Sequence, residues 1–269
     1  MKKFWLLLGL IGVFLLFNLE SYAQLMVDEA KIRPEISPGQ SITGSIKVYN
    51  TSEKPLQVKA YIEDFTYIAP FNGAKKFSPL GSTDSSCGEW IAFSPQEFRL
   101  PAFGAREVSY SIKVPLQVEG GYYAVLFFET SPGVLEEGQA VLRIVQRIGC
   151  LFFLESHDKI KRLEIGDISV VGDVIQGSFT NSGNVILSPK GIFYVMDAAG
   201  LVVDRGTTSE IFLPPQTSTD FSAEISSDLT QGEYLAVLTF ELGDGDVEVR
   251  EIKFLKKASG AIEVLEIKE

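Results

Sequence analysis

Histidine is almost absent from this chain: among its 269 residues there is one, His157. That excludes metal sites built from several imidazoles and makes a catalytic triad improbable. Cysteine is nearly as rare, with Cys87 and Cys150 alone. The sequence also contains no Gly-x-Ser-x-Gly elbow, Walker loop or dinucleotide-binding glycine fingerprint. Positive charge is short, with 24 Lys and Arg against 35 Asp and Glu and a formal net charge of -11. A surface of that sign repels polyanions, so nucleic acid and anionic lipid are poor partners. Together these gaps lead us to expect a protein that is not an enzyme, holds no cofactor or metal, and works by binding.

Long apolar runs are missing too, except at the start. Lys2 and Lys3 precede an apolar run over residues 4–17, and Ser21-Tyr22-Ala23 follows. A run of about 14 residues is shorter than the roughly 20 a spanning helix needs, and the small residues after it suit signal peptidase. Residues 1–23 are therefore expected to be a cleaved signal peptide, the alternative being an uncleaved N-terminal anchor, and the mature chain is expected to be periplasmic, secreted or at the cell surface without stable membrane insertion. Losing two lysines and one glutamate makes the mature chain more acidic still.

What fills the remainder is short runs rich in Val, Ile, Phe and Tyr, separated by clusters of Pro, Gly, Asn and Ser. Ser45-Ile46-Lys47-Val48-Tyr49 and Glu107-Val108-Ser109-Tyr110-Ser111-Ile112 alternate apolar and polar residues, the period of a strand with one buried face. The sequence also repeats itself. Gly120-Gly121-Tyr122-Tyr123-Ala124-Val125-Leu126-Phe127-Phe128-Glu129 returns as Gly232-Glu233-Tyr234-Leu235-Ala236-Val237-Leu238-Thr239-Phe240-Glu241, with seven of ten positions identical. Leu100-Pro101 is echoed by Leu213-Pro214, and Asn50-Thr51-Ser52 by Asn181-Ser182-Gly183. The fold expected is all-β, two immunoglobulin-like β-sandwich domains in tandem. The expected divisions are residues 24–156 for the first domain, 157–258 for the second and 259–269 for a C-terminal tail. The first copy carries about 18 extra residues, within 64–90.

Several residues have competing readings. Asn50 and Asn181 suit turn corners, and Tyr122 and Tyr234 suit tyrosine corners. Asn50-Thr51-Ser52 is also formally a glycosylation sequon. Asp244-Gly245-Asp246 reads better as a hairpin turn than as a calcium loop, and Glu63-Asp64 as a solvated strand end. In an oxidising compartment Cys87 and Cys150 can pair, closing a loop of about 63 residues and stabilising the domain by about 3–4 kcal/mol. The alternative is two buried free thiols.

The segments from Ala30-Lys31-Ile32-Arg33-Pro34 to Glu63-Asp64, Phe93 to Gly104 with its Phe98-Arg99-Leu100-Pro101 corner, and Ala140-Val141-Leu142-Arg143-Ile144-Val145-Gln146-Arg147-Ile148 resemble PapD-like periplasmic pilus chaperones over about residues 30–155. The resemblance implies that the last strand of the first domain lends alternating side chains to an incomplete pilus subunit. Those positions here are Ala140, Leu142 and Ile144, continued by Ile148. It also implies a cleft in which an Arg and a Lys hold the subunit's terminal carboxylate; Arg33 lies within a residue of the Arg, while Gly149 stands where the Lys is expected. The second domain, with Asn181-Ser182-Gly183-Asn184-Val185 and Leu213-Pro214-Pro215, resembles modules of WxL-interacting surface proteins, a family associated with peptidoglycan.

Two functions follow. One is a chaperone-like assembly factor capturing an exported or surface protein, such as a pilin-like subunit, by β-strand addition. The other is an adaptor for a cell-wall polymer, stacking glycan on Tyr67, Phe71, Phe77 and Trp90.

Overall fold

The computed structural model describes residues 24–130, 145–243 and 245–268; the expected signal peptide lies outside them. The first sandwich contains β1 (Leu25–Val27), β2 (Lys31–Ile32), β3 (Glu35–Ile36), β4 (Ser41–Asn50), β5 (Leu56–Tyr67), β6 (Lys75–Ser78), β7 (Ile91–Ser94), β8 (Glu97–Leu100), β9 (Ala105–Lys113), β10 (Gly121–Thr130) and β11 (Arg147–Ser156). One sheet has the order β1-β4-β9-β7; the other runs β2-β11-β10-β5-β6, with β3 on β11 and β8 on β5. The second sandwich contains β12 (Leu163–Val171), β13 (Val174–Asn181), β14 (Lys190–Asp197), β15 (Val202–Thr207), β16 (Ser218–Glu224), β17 (Gly232–Gly243), β18 (Asp246–Lys256) and β19 (Ile262–Lys268). Its sheets are ordered β12-β13-β16 and β15-β14-β17-β18-β19. No described helix is long and apolar enough to cross a membrane.

The sequence repeat is a structural repeat. Asn50 is buried at the end of β4; its amide donates to the carbonyls of Lys54 and Pro101, both at 2.8 Å, and its Oδ1 accepts from Ser52 N at 2.9 Å. Asn181, buried at the end of β13, donates to Val185 O at 2.8 Å and Leu213 O at 2.9 Å and accepts from Gly183 N at 2.9 Å. One side chain thus ties a strand end to the Leu-Pro corner in each copy by bonding carbonyls outside the strand ladders. The corners also share a residue in left-handed conformation, Phe103 at φ 53° and Gln216 at φ 57°. Tyr234 closes its corner by donating its hydroxyl to Thr230 O at 2.9 Å, and Tyr122 accepts from Glu119 N at 3.3 Å.

The two copies of the apolar strand differ in what covers their second face. Ala124, Leu126 and Phe128 of β10 point into the first core, as Ala236, Leu238 and Phe240 of β17 point into the second. The intervening Tyr123, Val125 and Phe127 are buried as well, in an aromatic layer with Phe65, Tyr67 and Phe153. In β17 the matching Leu235, Val237 and Thr239 are only half-buried. A strand covered on both faces reads as a continuous apolar run, and one with an open face alternates.

Two expectations are corrected, and of the two readings of the cysteines one is seen. The segment expected as a C-terminal tail from residue 259 belongs to the second sandwich: β19 pairs antiparallel with β18, and Ile262 and Val264 pack on the second core. Asp64 is not a solvated strand end. It is fully buried, its carboxylate accepting from Thr83 N, Thr83 Oγ1 and Ser86 Oγ, which fastens the extra loop of the first copy to β5. Cys87 and Cys150 are two free thiols in the first core rather than a disulfide. Burial pushes both up, Cys150 to about 12, which suppresses the reactive thiolate.

Candidate partner-binding site

The candidate site is built on β11. Its alternation sends Ile148, Cys150, Phe152 and Leu154 toward the first core and Leu151 and Phe153 toward the aromatic layer. On one side β11 is fully paired with β10, from Glu129 opposite Arg147 to Gly121 opposite Glu155. On its other side only β2 and β3 pair with it, in two parallel patches at Leu151–Phe152 and Glu155–Ser156. Among the described residues no strand pairs with that edge between Arg147 and Cys150. An edge of this kind presents main-chain donors and acceptors to an incoming strand. Ile148 lies there, half-buried against the first core. Ala140, Leu142 and Ile144 lie outside the described residues.

Gly149 has a packing reason for departing from the chaperone pattern. A Cβ at this position would stand 2.7 Å from Val125 Cγ2 and 2.9 Å from Phe127 Cε1, so only glycine lets those side chains lie across β11. The start of the strand is pinned by Arg147, whose guanidinium lies 4.0 Å from the Phe127 ring centroid and 3.4 Å from Glu63 Oε2.

Arg33 follows β2 and stacks its guanidinium 4.3 Å from the ring centroid of Phe153, whose side chain is buried. The residue of β11 beside Arg33 is therefore Phe153, not Gly149. Arg33 opens onto a cleft of about 470 Å³ between the sandwiches, shared with Glu35, Glu155, Lys159, Lys161 and Lys190. The cations after Arg33 come from the connection between the domains and from β14 rather than from β11. Lys159 is paired with Glu35 at 3.5 Å and Glu155 at 3.9 Å, and His157 Nδ1 stands 3.1 Å from Glu35. Sequence reading missed these lysines as cleft residues. Lys159 and Lys161 stand at the predicted domain junction, a local signal, whereas only the packing of the domains brings Lys190 to Arg33.

The four aromatics considered for glycan stacking do not form one open surface. Tyr67 is buried, with its hydroxyl pushed up to about 12 by that burial. Phe77 packs edge-on against Phe127 at 5.0 Å, and Phe71 sits between the aromatic layer and the second core. Trp90 stands apart from them, against Tyr122 at 4.5 Å on the first core.

No protein-family model and no curated protein matches the chain. Solved structures do. The class 5 fimbriae chaperone CfaA is similar at 14% identity with a TM-score of 0.51, over 84% of this chain and 97% of that one. A chaperone–tip adhesin complex of CFA/I fimbriae biogenesis covers 90% of this chain and 98% of that one at 17% identity and TM-score 0.49. The CsuC–CsuE chaperone–tip subunit pre-assembly complex of Acinetobacter baumannii covers 85% and 98% at 10% identity and TM-score 0.45. The 84% shared with CfaA exceeds either sandwich alone, so the likeness spans both. The chain has the PapD-like chaperone fold, two β-sandwiches in tandem.

Proposed function

We propose that this protein is a non-enzymatic, periplasmic chaperone-like factor that captures a pilin-like surface subunit by β-strand addition along β11. The observation that carries this reading is the edge of β11, fully paired on the β10 side and, among the described residues, without a paired strand from Arg147 to Cys150 on the other. The adjoining cleft with Arg33 supports it, because a guanidinium resting on Phe153 is desolvated on one face and held ready for a carboxylate. Backbone pairing supplies affinity, and the alternating Ala140, Leu142, Ile144 and Ile148 supply register.

The test is co-expression, in a periplasm, of the chain with pilin-like subunits from its own genome, followed by affinity purification. The wild type is expected to retain a subunit. Leu142→Asp with Ile144→Asp is expected to lose it while melting at an unchanged temperature. Retention of the subunit by this variant, or collapse of its fold, defeats the proposal.

A further inference from the structure

The extra loop of the first copy does more than cover its own sheet. It continues from β5 through a turn to β6, and the second domain is seated on it. The ring of Tyr67, the last residue of β5, stacks on Phe212 of the second domain, with centroids 4.7 Å apart and planes 8° from parallel. Phe212 N donates to Phe71 O in the turn at 2.7 Å. Lys75, the first residue of β6, places its ammonium 4.7 Å from the Tyr67 centroid and 6.0 Å from that of Phe212. Glu210 of the second domain favours the charged forms of Lys31 and Lys75, against the burial that lowers both. Phe212 is itself firmly placed, because its neighbours Ile211 and Leu213 are buried in the second core.

Further hydrogen bonds join the domains, among them one from Thr219 Oγ1 to Pro70 O of the loop at 3.5 Å. Tyr123 OH accepts from Ile186 N at 2.8 Å. Asn184 accepts from Gly121 N through its carbonyl at 3.0 Å, and from Ile160 N of the connection through Oδ1 at 2.6 Å. A short connection alone leaves two domains free to swing. Here the domains touch at the connection, the sheet and the loop.

We infer that the loop of residues 68–74 is an interdomain clamp that sets the angle between the sandwiches, and so the width of the cleft, before any partner arrives. A cleft held at one width loses less freedom on binding than one that must close, which favours affinity through preorganisation.

The clamp is tested without a partner, so its failure is separate from failure of the proposed function. Spin labels on Ser109→Cys and Asp228→Cys, both exposed positions in different domains, report the interdomain distance distribution; the native thiols are buried. The full mature chain and Phe212→Tyr are expected to give one narrow distribution. Phe212→Ala is expected to widen it at least twofold. Phe71→Gly tests the turn independently, since glycine accepts the left-handed φ of 62° there, and it is expected to widen the distribution too. Narrow distributions in both Phe212→Ala and Phe71→Gly overturn the inference, as does equal widening in Phe212→Tyr.

Discussion

The two sandwiches share their corner, their tyrosine and their central apolar strand, yet they finish their larger sheets in opposite ways. In the second domain the strand after the Gly-x-Tyr strand is β18, and β19 pairs with its outer edge from Ile262 to Lys268. In the first domain the equivalent strand is β11, which among the described residues has two short parallel patches on that edge. Among the described residues the same backbone is thus paired along its outer edge in one copy and paired only in patches in the other. A duplicated fold can thus finish the same sheet edge differently in its two copies.

Removing β19 by truncation after residue 258 should break this contrast. It uncovers β18 and the packing of Ile262 and Val264 on the second core. A loss of about 3 kcal/mol or more is expected from the apolar contacts alone. The new edge should also drive concentration-dependent association on size-exclusion chromatography. A truncated chain that stays monomeric and melts like the full one shows that β19 seals nothing.

A smaller effect sharpens the likeness. Asn50→Ala and Asn181→Ala each remove a buried amide that holds two carbonyls and one N–H. Each substitution is expected to cost about 2–4 kcal/mol in denaturant unfolding. Costs differing by more than about threefold show that the corners are not energetically equivalent.

The smallest effect concerns the strained corner residue. Phe103 holds a left-handed backbone while 69% exposed, so its ring contributes little packing. Phe103→Gly should stabilise the first domain by about 0.5–1 kcal/mol, the conformational penalty less the entropy of glycine. Gln216→Gly should gain less, because Gln216 Nε2 also donates to Gly183 O at 3.4 Å. Thermal melting of the two variants ranks them.

Much of this architecture is legible from local pattern. Alternation in β4 and β9 marks half-buried strands, and the recurrence of Asn, Leu-Pro and Gly-x-Tyr marks a doubled sandwich. The contrast between Phe127 and Thr239 even signals which sheet is covered twice. Other features depend on distant chain segments. Asp64 reads as solvent-facing until the loop carrying Thr83 and Ser86 wraps it. Ile262 and Val264 alternate with glutamates, but β19 has no counterpart in the first copy and so looks like a tail. Arg33 carries a local motif, whereas Lys190 and Phe212 become cleft and clamp residues only through the packing of one domain on another.

The Asn50 corner has a practical consequence for making this protein. Its amide is consumed on both its donor and acceptor sides, yet Asn50-Thr51-Ser52 offers an acceptor for sugar while the chain is still being threaded through a eukaryotic secretory pathway. A glycan added there would occupy the space the corner needs, before the corner exists. Bacterial export avoids that conflict; secretion from yeast or mammalian cells calls for removal of the threonine-following serine, leaving Asn50 itself untouched.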